Sequence, residues 1–193
     1  MQKGWYLSFN PFSIIEPEQS GVGIGVGKRL NKHFEAWTEL NYLYHIRSRE
    51  ISGFDNLKGF RSITSLKYYY NQKHAFFIGA EFRIKKYTFD DKADFVNIQT
   101  NDTLPGISHK ATHILIGGAV LWGFRIKLSH SGRFELEANV GYGGKSRTIN
   151  RKNVPAGYTR IDNTFRKHYQ LTDSNKEDIQ PYFPAIIRLI YHF

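Results

Sequence analysis

Cysteine is absent from the 193 residues. Disulfides, thiolate metal centres, cysteine nucleophiles and a lipidated cysteine are therefore excluded from this stretch of chain. Long apolar runs are missing too. A membrane-crossing helix needs about 18 consecutive apolar residues, and the best candidate, residues 114–124, is broken by Gly117, Gly118 and Gly123. No apolar leader precedes Gly4-Trp5, so an exported chain is expected to have lost its signal peptide. Acidic residues are scarce, 17 against 27 Lys and Arg, for a formal net charge of +10. Such a balance first suggests nucleic acid. The basic residues are spread along the chain without a recognition motif, however, and no nucleic-acid partner is expected. Acidic lipid headgroups account for the excess equally well.

Aromatic residues are abundant, with 12 Tyr and 15 Phe, and apolar residues recur with a period of two. That is the pattern of strands with two unlike faces. Eight segments show it: 4–14, 21–30, 34–46, 60–70, 76–85, 111–128, 134–143 and 180–193. Tight turns are expected near Asn31, Gln72 and Ser131. Long loops are expected at about 47–59, 87–110 and 145–179. In residues 21–27 four glycines alternate with Val22, Ile24 and Val26. A face without side chains leaves space that something large must fill, and Trp37 on the next strand suits it. The glycines lack the spacing and following helix of a dinucleotide-binding turn. The expected fold is all-β: one domain over 1–193, an eight-stranded antiparallel up-and-down barrel.

The apolar face of such a barrel points either inward, as in a soluble lipocalin-like ligand-binding barrel, or outward, as in a transmembrane one. Three features favour outward. The polar face mixes charge with glycine, which suits a narrow interior. Its charges are of both signs: Arg29, Glu39, Lys67, Glu81, Arg83, Arg125, Glu137 and Arg188 form a candidate interior network. Arg125 falls opposite Glu137 if Leu128 and Phe134 pair across the Ser131 turn. The network is expected to plug the interior, because buried charges need partners. Finally, aromatics on the apolar face gather at strand ends, with Ile24, Leu40, Val120 and Ile187 between them, as at the two headgroup levels of a bilayer.

The chain ends Phe-Pro-Ala-Ile-Ile-Arg-Leu-Ile-Tyr-His-Phe. With eight strands, loops of unequal length on the two sides and a final strand closing on Phe193, it resembles the OmpA/OmpX-type outer-membrane barrels. More narrowly, it resembles small outer-membrane proteins of the Bacteroidota type. The resemblance spans nearly the whole chain. It implies periplasmic short turns, extracellular long loops and a place in the bacterial outer membrane among lipid and lipopolysaccharide. It also implies that Ile187, Leu189, Tyr191 and Phe193 are read by the barrel-insertion machinery.

Catalytic patterns are weak. Some barrels of this size modify lipid A, through a His-x-Ser pattern with Glu or through His, Asp and Ser near the rim. His130-Ser131 lacks the spacer, and Asp102, Ser108 and His109 are the only rim candidates. Asp90, Asp91 and Asp94 lack the Gly and Glu of a calcium loop. His45, His113 and His192 lie on inward parities of different strands. No cofactor or metal is expected. Arg151, Lys152, Arg160, Arg166 and Lys167, interleaved with Tyr158, Phe165 and Tyr169, are candidate contacts for lipopolysaccharide or a partner protein. The expected role is a non-enzymatic structural or accessory subunit of a larger envelope complex. A lipid A-modifying barrel enzyme and a soluble lipocalin-like barrel are the alternatives.

Overall fold

The structure, a computed structural model, describes residues 4–11, 21–44, 54–70, 75–154, 156–161 and 179–193. Ten strands form one antiparallel sheet: β1 (Trp5–Phe9), β2 (Gly21–Arg29), β3 (Phe34–Tyr44), β4 (Phe54–Tyr69), β5 (Phe76–Asn97), β6 (Thr103–Lys127), β7 (Phe134–Lys152), β8 (Tyr158–Arg160), β9 (Gln180–Tyr182) and β10 (Ala185–His192). Among the described residues there is no α-helix, and so none long and apolar enough to cross a membrane. Strands β1 to β7 each pair with the next, β7 pairs with β10, and β10 returns to β1, so eight strands close a ring. β9 and β10 continue one register along β7, interrupted at Phe183 and Pro184. Proline has no N–H for the ladder, but the Pro184 carbonyl still accepts a hydrogen bond from Gly141 N at 2.8 Å.

The register fixes the shape of the ring. From Ser8, pairing leads through Gly25, Glu39, Ile63, Arg83, Gly117 and Lys145 to Gln180. Ser8 itself pairs with Ile190, ten residues further along the same strand path. A stagger of ten over eight strands gives a tilt of roughly 40° at ~3.3 Å per residue and ~4.8 Å between strands. Eight tilted strands leave an interior only wide enough for side chains.

Tight turns follow from side chains that imitate the backbone. At 30–34, Asn31 Oδ1 accepts from His33 N and Phe34 N, both at 2.8 Å. At 128–134, Leu128 N donates to Phe134 O at 2.8 Å, and Gly132 has a φ of +67°. The turn expected near Gln72 lies outside the described residues.

One of the expected long loops is largely strand, and a second is strand in its first part. β5 and β6 run on through 87–110 to a short turn at 98–102, where Asn97 Oδ1 accepts from Gln99 N at 2.9 Å. β7 likewise extends to Lys152, inside the expected loop 145–179, and β8 adds a rung on β5. Part of 47–59 is also strand, since β4 begins at Phe54. On β5 the alternation continues with its polarity exchanged, whereas on β7 the inward side keeps Lys145, Arg147 and Arg151 around Ile149. On β5, Phe76, Ile78, Phe82 and Ile84 share the outward side with Lys86, Thr88, Asp90 and Lys92 further on. The inward side passes from Glu81, Arg83 and Lys85 to Tyr87, Phe89, Ala93 and Phe95. Of these, Tyr87 and Phe89 join Leu43, Leu57 and Ala111 in an apolar cluster.

The outer surface of the ring is apolar: Ile24, Leu40, Phe82, Val120, Trp122, Val140 and Ile187 are all exposed. Two of its hydroxyls face each other across β3 and β4, Thr38 Oγ1 and Thr64 Oγ1 standing 3.1 Å apart. Aromatic pairs mark both edges of this surface. Phe34–Tyr68, Phe134–Tyr191 and Tyr191–Phe193 lie at the end nearest the termini, and Tyr142–Phe183 at the other.

Candidate functional site: an ion network inside the ring

Inward positions of β3, β4, β6, β7 and β10 converge on one point. Arg125 is its centre. Its Nη2 donates to Glu137 Oε2 at 2.6 Å and to Glu35 Oε1 at 2.7 Å, and its Nη1 to Glu35 Oε2 at 3.0 Å. Lys67 Nζ donates to both Glu137 oxygens, at 2.7 and 2.9 Å, and to Glu35 Oε1 at 3.3 Å. Tyr6 OH donates to Glu35 Oε1 at 2.6 Å, and Tyr69 OH at 3.3 Å. The network extends to Glu135, whose Oε2 lies 3.5 Å from Arg125 and 2.8 Å from His192 Nε2. Glu35, Lys67, Arg125 and Glu137 are all buried. Charges so placed are tolerable only with this density of donors and acceptors.

Local sequence explains the convergence. The register sets Glu35 opposite Lys67 across β3 and β4, and Glu137 between Arg125 and Arg188 across β6, β7 and β10. Glycines clear the opposite wall. A Cβ on Gly27 would run into the Tyr6 ring, and one on Gly25 into Ser8 and the Trp37 indole. Trp37 fills the space facing these glycines, with its Nε1 donating to Ser8 Oγ at 2.7 Å. Arg188 differs from the other cations. Its guanidinium lies 3.2 Å from Glu137 Oε1 but makes no hydrogen bond among the described residues; it stacks on the Trp37 ring, 3.6 Å from the centroid.

The eight residues singled out from sequence do not form one cluster. Lys67, Arg125, Glu137 and Arg188 meet, and Arg29 sits at the rim, 3.9 Å from Glu35. Glu81 and Arg83 form a separate pair at 2.9 Å higher up, and Glu39 accepts from Asn41 Nδ2 at 2.6 Å. Glu35, Tyr6 and Tyr69 were missed as members. The signal for Glu35 was present: it shares the inward parity of Trp37, and the Asn31 turn faces it towards Arg29.

Among the other candidates, Ile187, Leu189 and Tyr191 lie on the outward side of β10, with Phe193 just beyond it. Lys152 is exposed at the end of β7 beside Arg151. Arg160 is not a surface contact: it is buried, with Nη2 3.1 Å from Asp91 Oδ2. Arg166, Lys167 and His45 lie outside the described residues. Asp91 also faces His109, whose Nε2 is 3.8 Å away, while Phe95 packs edge-on against the imidazole. Burial pushes the His109 imidazole below its usual range. Strand alternation puts Ser108 on the side away from His109, and Asp102 belongs to the turn with Thr100. The rim residues Asp102, Ser108 and His109 are therefore not assembled. His130 and Ser131 are both exposed in their turn. Asp90 accepts from Asn56, Asp94 from Gly106 N, and Asp91 turns inward, so these acids do not cluster. His113 is buried with its Nδ1 3.0 Å from Tyr87 OH.

An antiparallel ring with an apolar outer band and an ion network buried within it is the structural class the fold and site define. No family model matches the chain, and no curated protein does.

Proposed function

We propose that this chain is an integral β-barrel of the bacterial outer membrane, of the OmpA/OmpX type, in which eight up-and-down strands cross the bilayer. The exchange of polarity along single strands carries the reading. Below Lys86 on β5 the outward side is Phe and Ile; above it the outward side is Thr, Asp and Lys, and the apolar residues move inside. A half-buried antiparallel sheet in water commonly keeps its apolar face on one side. A strand that leaves hydrocarbon and enters water must exchange its polarity. Spacing agrees. Phe60 and Tyr70 are exposed aromatics ten residues apart on the β4 path. At a tilt of roughly 40° they are ~25 Å apart along the barrel axis, the height of an outer-membrane apolar band.

The interior network fills the cross-section, which favours a closed plug over a pore. Above the band, the β5–β6 hairpin and β8 form a ledge of polar outer surface. This supports a non-enzymatic structural or accessory role, with the ledge and the basic Lys152 region available to lipopolysaccharide or to other proteins of an envelope complex. Fractionation tests the reading. The protein should sediment with membranes, resist carbonate and high salt, yield to detergent, and shift in gel mobility on boiling. Release by salt alone overturns it.

A further inference from the structure

A groove of about 350 Å³ crosses the outer wall where β6, β7 and β10 meet. Its floor is Ala138 and Ala185, and its banks are Trp122, Phe124, Val140 and Ile187. Register explains the hollow. Trp122, Val140 and Ala185 lie in one pairing row, and Phe124, Ala138 and Ile187 in the next below it on β6 and β10. The two alanines are therefore diagonal neighbours, ~8 Å apart. On the β-lattice this diagonal lies about 36° from the strand direction, in the sense that cancels a strand tilt of roughly 40°. The floor of the groove runs nearly parallel to the ring axis, although no strand does.

We propose that this groove holds one acyl chain of a bilayer lipid; this rests on the membrane reading above. Three observations favour a chain over other occupants. The direction matches that of an extended lipid tail along the bilayer normal. The outward side chains of the groove, Trp122, Phe124, Ala138, Val140, Ala185 and Ile187, are apolar and lie between the two aromatic levels, where only hydrocarbon is available. Nine residues line the groove, whereas a stable protein interface uses about 20–30 on each side. The volume is that of about a dozen groups of ~30 Å³, close to the size of a methylene.

Trp122 on the bank reports occupancy directly. The protein with Trp5→Phe is reconstituted in phosphatidylcholine vesicles containing a rising fraction of phosphatidylcholine brominated near the chain ends. Fluorescence is compared with that of the same protein also carrying Trp122→Phe, which isolates the Trp122 signal. A seated chain holds its bromines against the indole, so at full bromination the Trp122 signal is quenched at least threefold more strongly than in Ala138→Phe, in which the floor is filled. Ala185→Phe serves as a second filled variant, and boiling-dependent gel mobility confirms that each is folded. Identical curves for the parent and both folded variants overturn the groove but leave the membrane reading intact. No quenching of Trp122 at any fraction overturns the membrane reading itself. A dimer captured by cross-linking at Ala185→Cys, together with lost quenching, would give the groove to a second protein and also refute the proposal.

Discussion

Glu137 and Arg188 face each other across β7 and β10, yet their removal should have unequal consequences. Glu137 receives three cations: Arg125 at 2.6 Å, Lys67 at 2.7 Å and Arg188 at 3.2 Å. Glu137→Gln keeps the shape, removes the charge and leaves those cations short of a partner in a buried site. Breaking a buried pair in this way costs about 3–5 kcal/mol. Arg188→Leu leaves Glu137 with both of its hydrogen-bonded cations and loses one ion pair and the stack on Trp37, so about 1–2 kcal/mol is expected. Urea unfolding in lipid vesicles, followed by gel mobility and tryptophan fluorescence, measures both. With a slope of about 2 kcal/mol/M, Glu137→Gln lowers the midpoint by about 2 M and Arg188→Leu by less than about 1 M. The double variant Lys67→Met with Glu137→Leu removes one charge of each sign and should cost less than the sum of its parts, because neither charge is left alone. Equal losses for Glu137→Gln and Arg188→Leu, or strict additivity in the double variant, would refute this account of the network.

Deleting Phe193, whose ring meets Tyr191 edge-on at 5.6 Å, should cut the inserted fraction several-fold in cells. The inserted remainder should keep its urea midpoint within about 1 kcal/mol of the parent; normal insertion refutes the role given to that residue. Gly25→Ala drives a Cβ against Ser8 and Trp37 and should cost about 1–3 kcal/mol. Outward Gly118→Ala should cost much less in the same assay, and equal losses would contradict the inward placement. His109 is held below its ordinary value of about 6.5 by burial. Above that pH, folded and opened states are both neutral. As pH falls below it the opened state takes up the proton first, so the docking of β8 on β5 weakens on acidification. Hydrogen exchange at the 158–160 amides should accelerate between pH 7 and pH 5, beyond the intrinsic change, in the parent and not in His109→Gln. Equal protection at the two pH values refutes it.

The ring strands were legible because each carries two unlike faces, and a period of two marks them without ambiguity. Arg125 opposite Glu137 followed from the Ser131 turn alone, and the register confirms it. The distal halves of β5 and β6 were hidden by the same rule. Lys86, Thr88, Asp90 and Lys92 read as a polar loop when hydrophobic-out is the template, although Tyr87, Phe89, Ala93 and Phe95 alternate with them faithfully. Only a template whose polarity reverses along a strand detects them. Glu35 showed its inward parity, but its place in the network was lost for another reason. Its partners Arg125 and Tyr6 lie on strands distant in sequence, and a stagger of ten places them together in a way that no count along a single strand reveals.

That stagger also dictates an order of events. The ring closes by pairing residues 6–9 with 189–192, the two ends of the path. The carboxylate of Glu35 and the ammonium of Lys67 come from the first half of the chain, and Arg125, Glu137 and Arg188 from the second. A partly assembled sheet would therefore carry two bare edges and a half-built set of charges, each prohibitive in hydrocarbon. Under the membrane reading proposed above, entry into the bilayer and closure of the ring are bound into one cooperative event. The loop-closure entropy of nearly the whole chain falls on that step, making it the slow stage of folding.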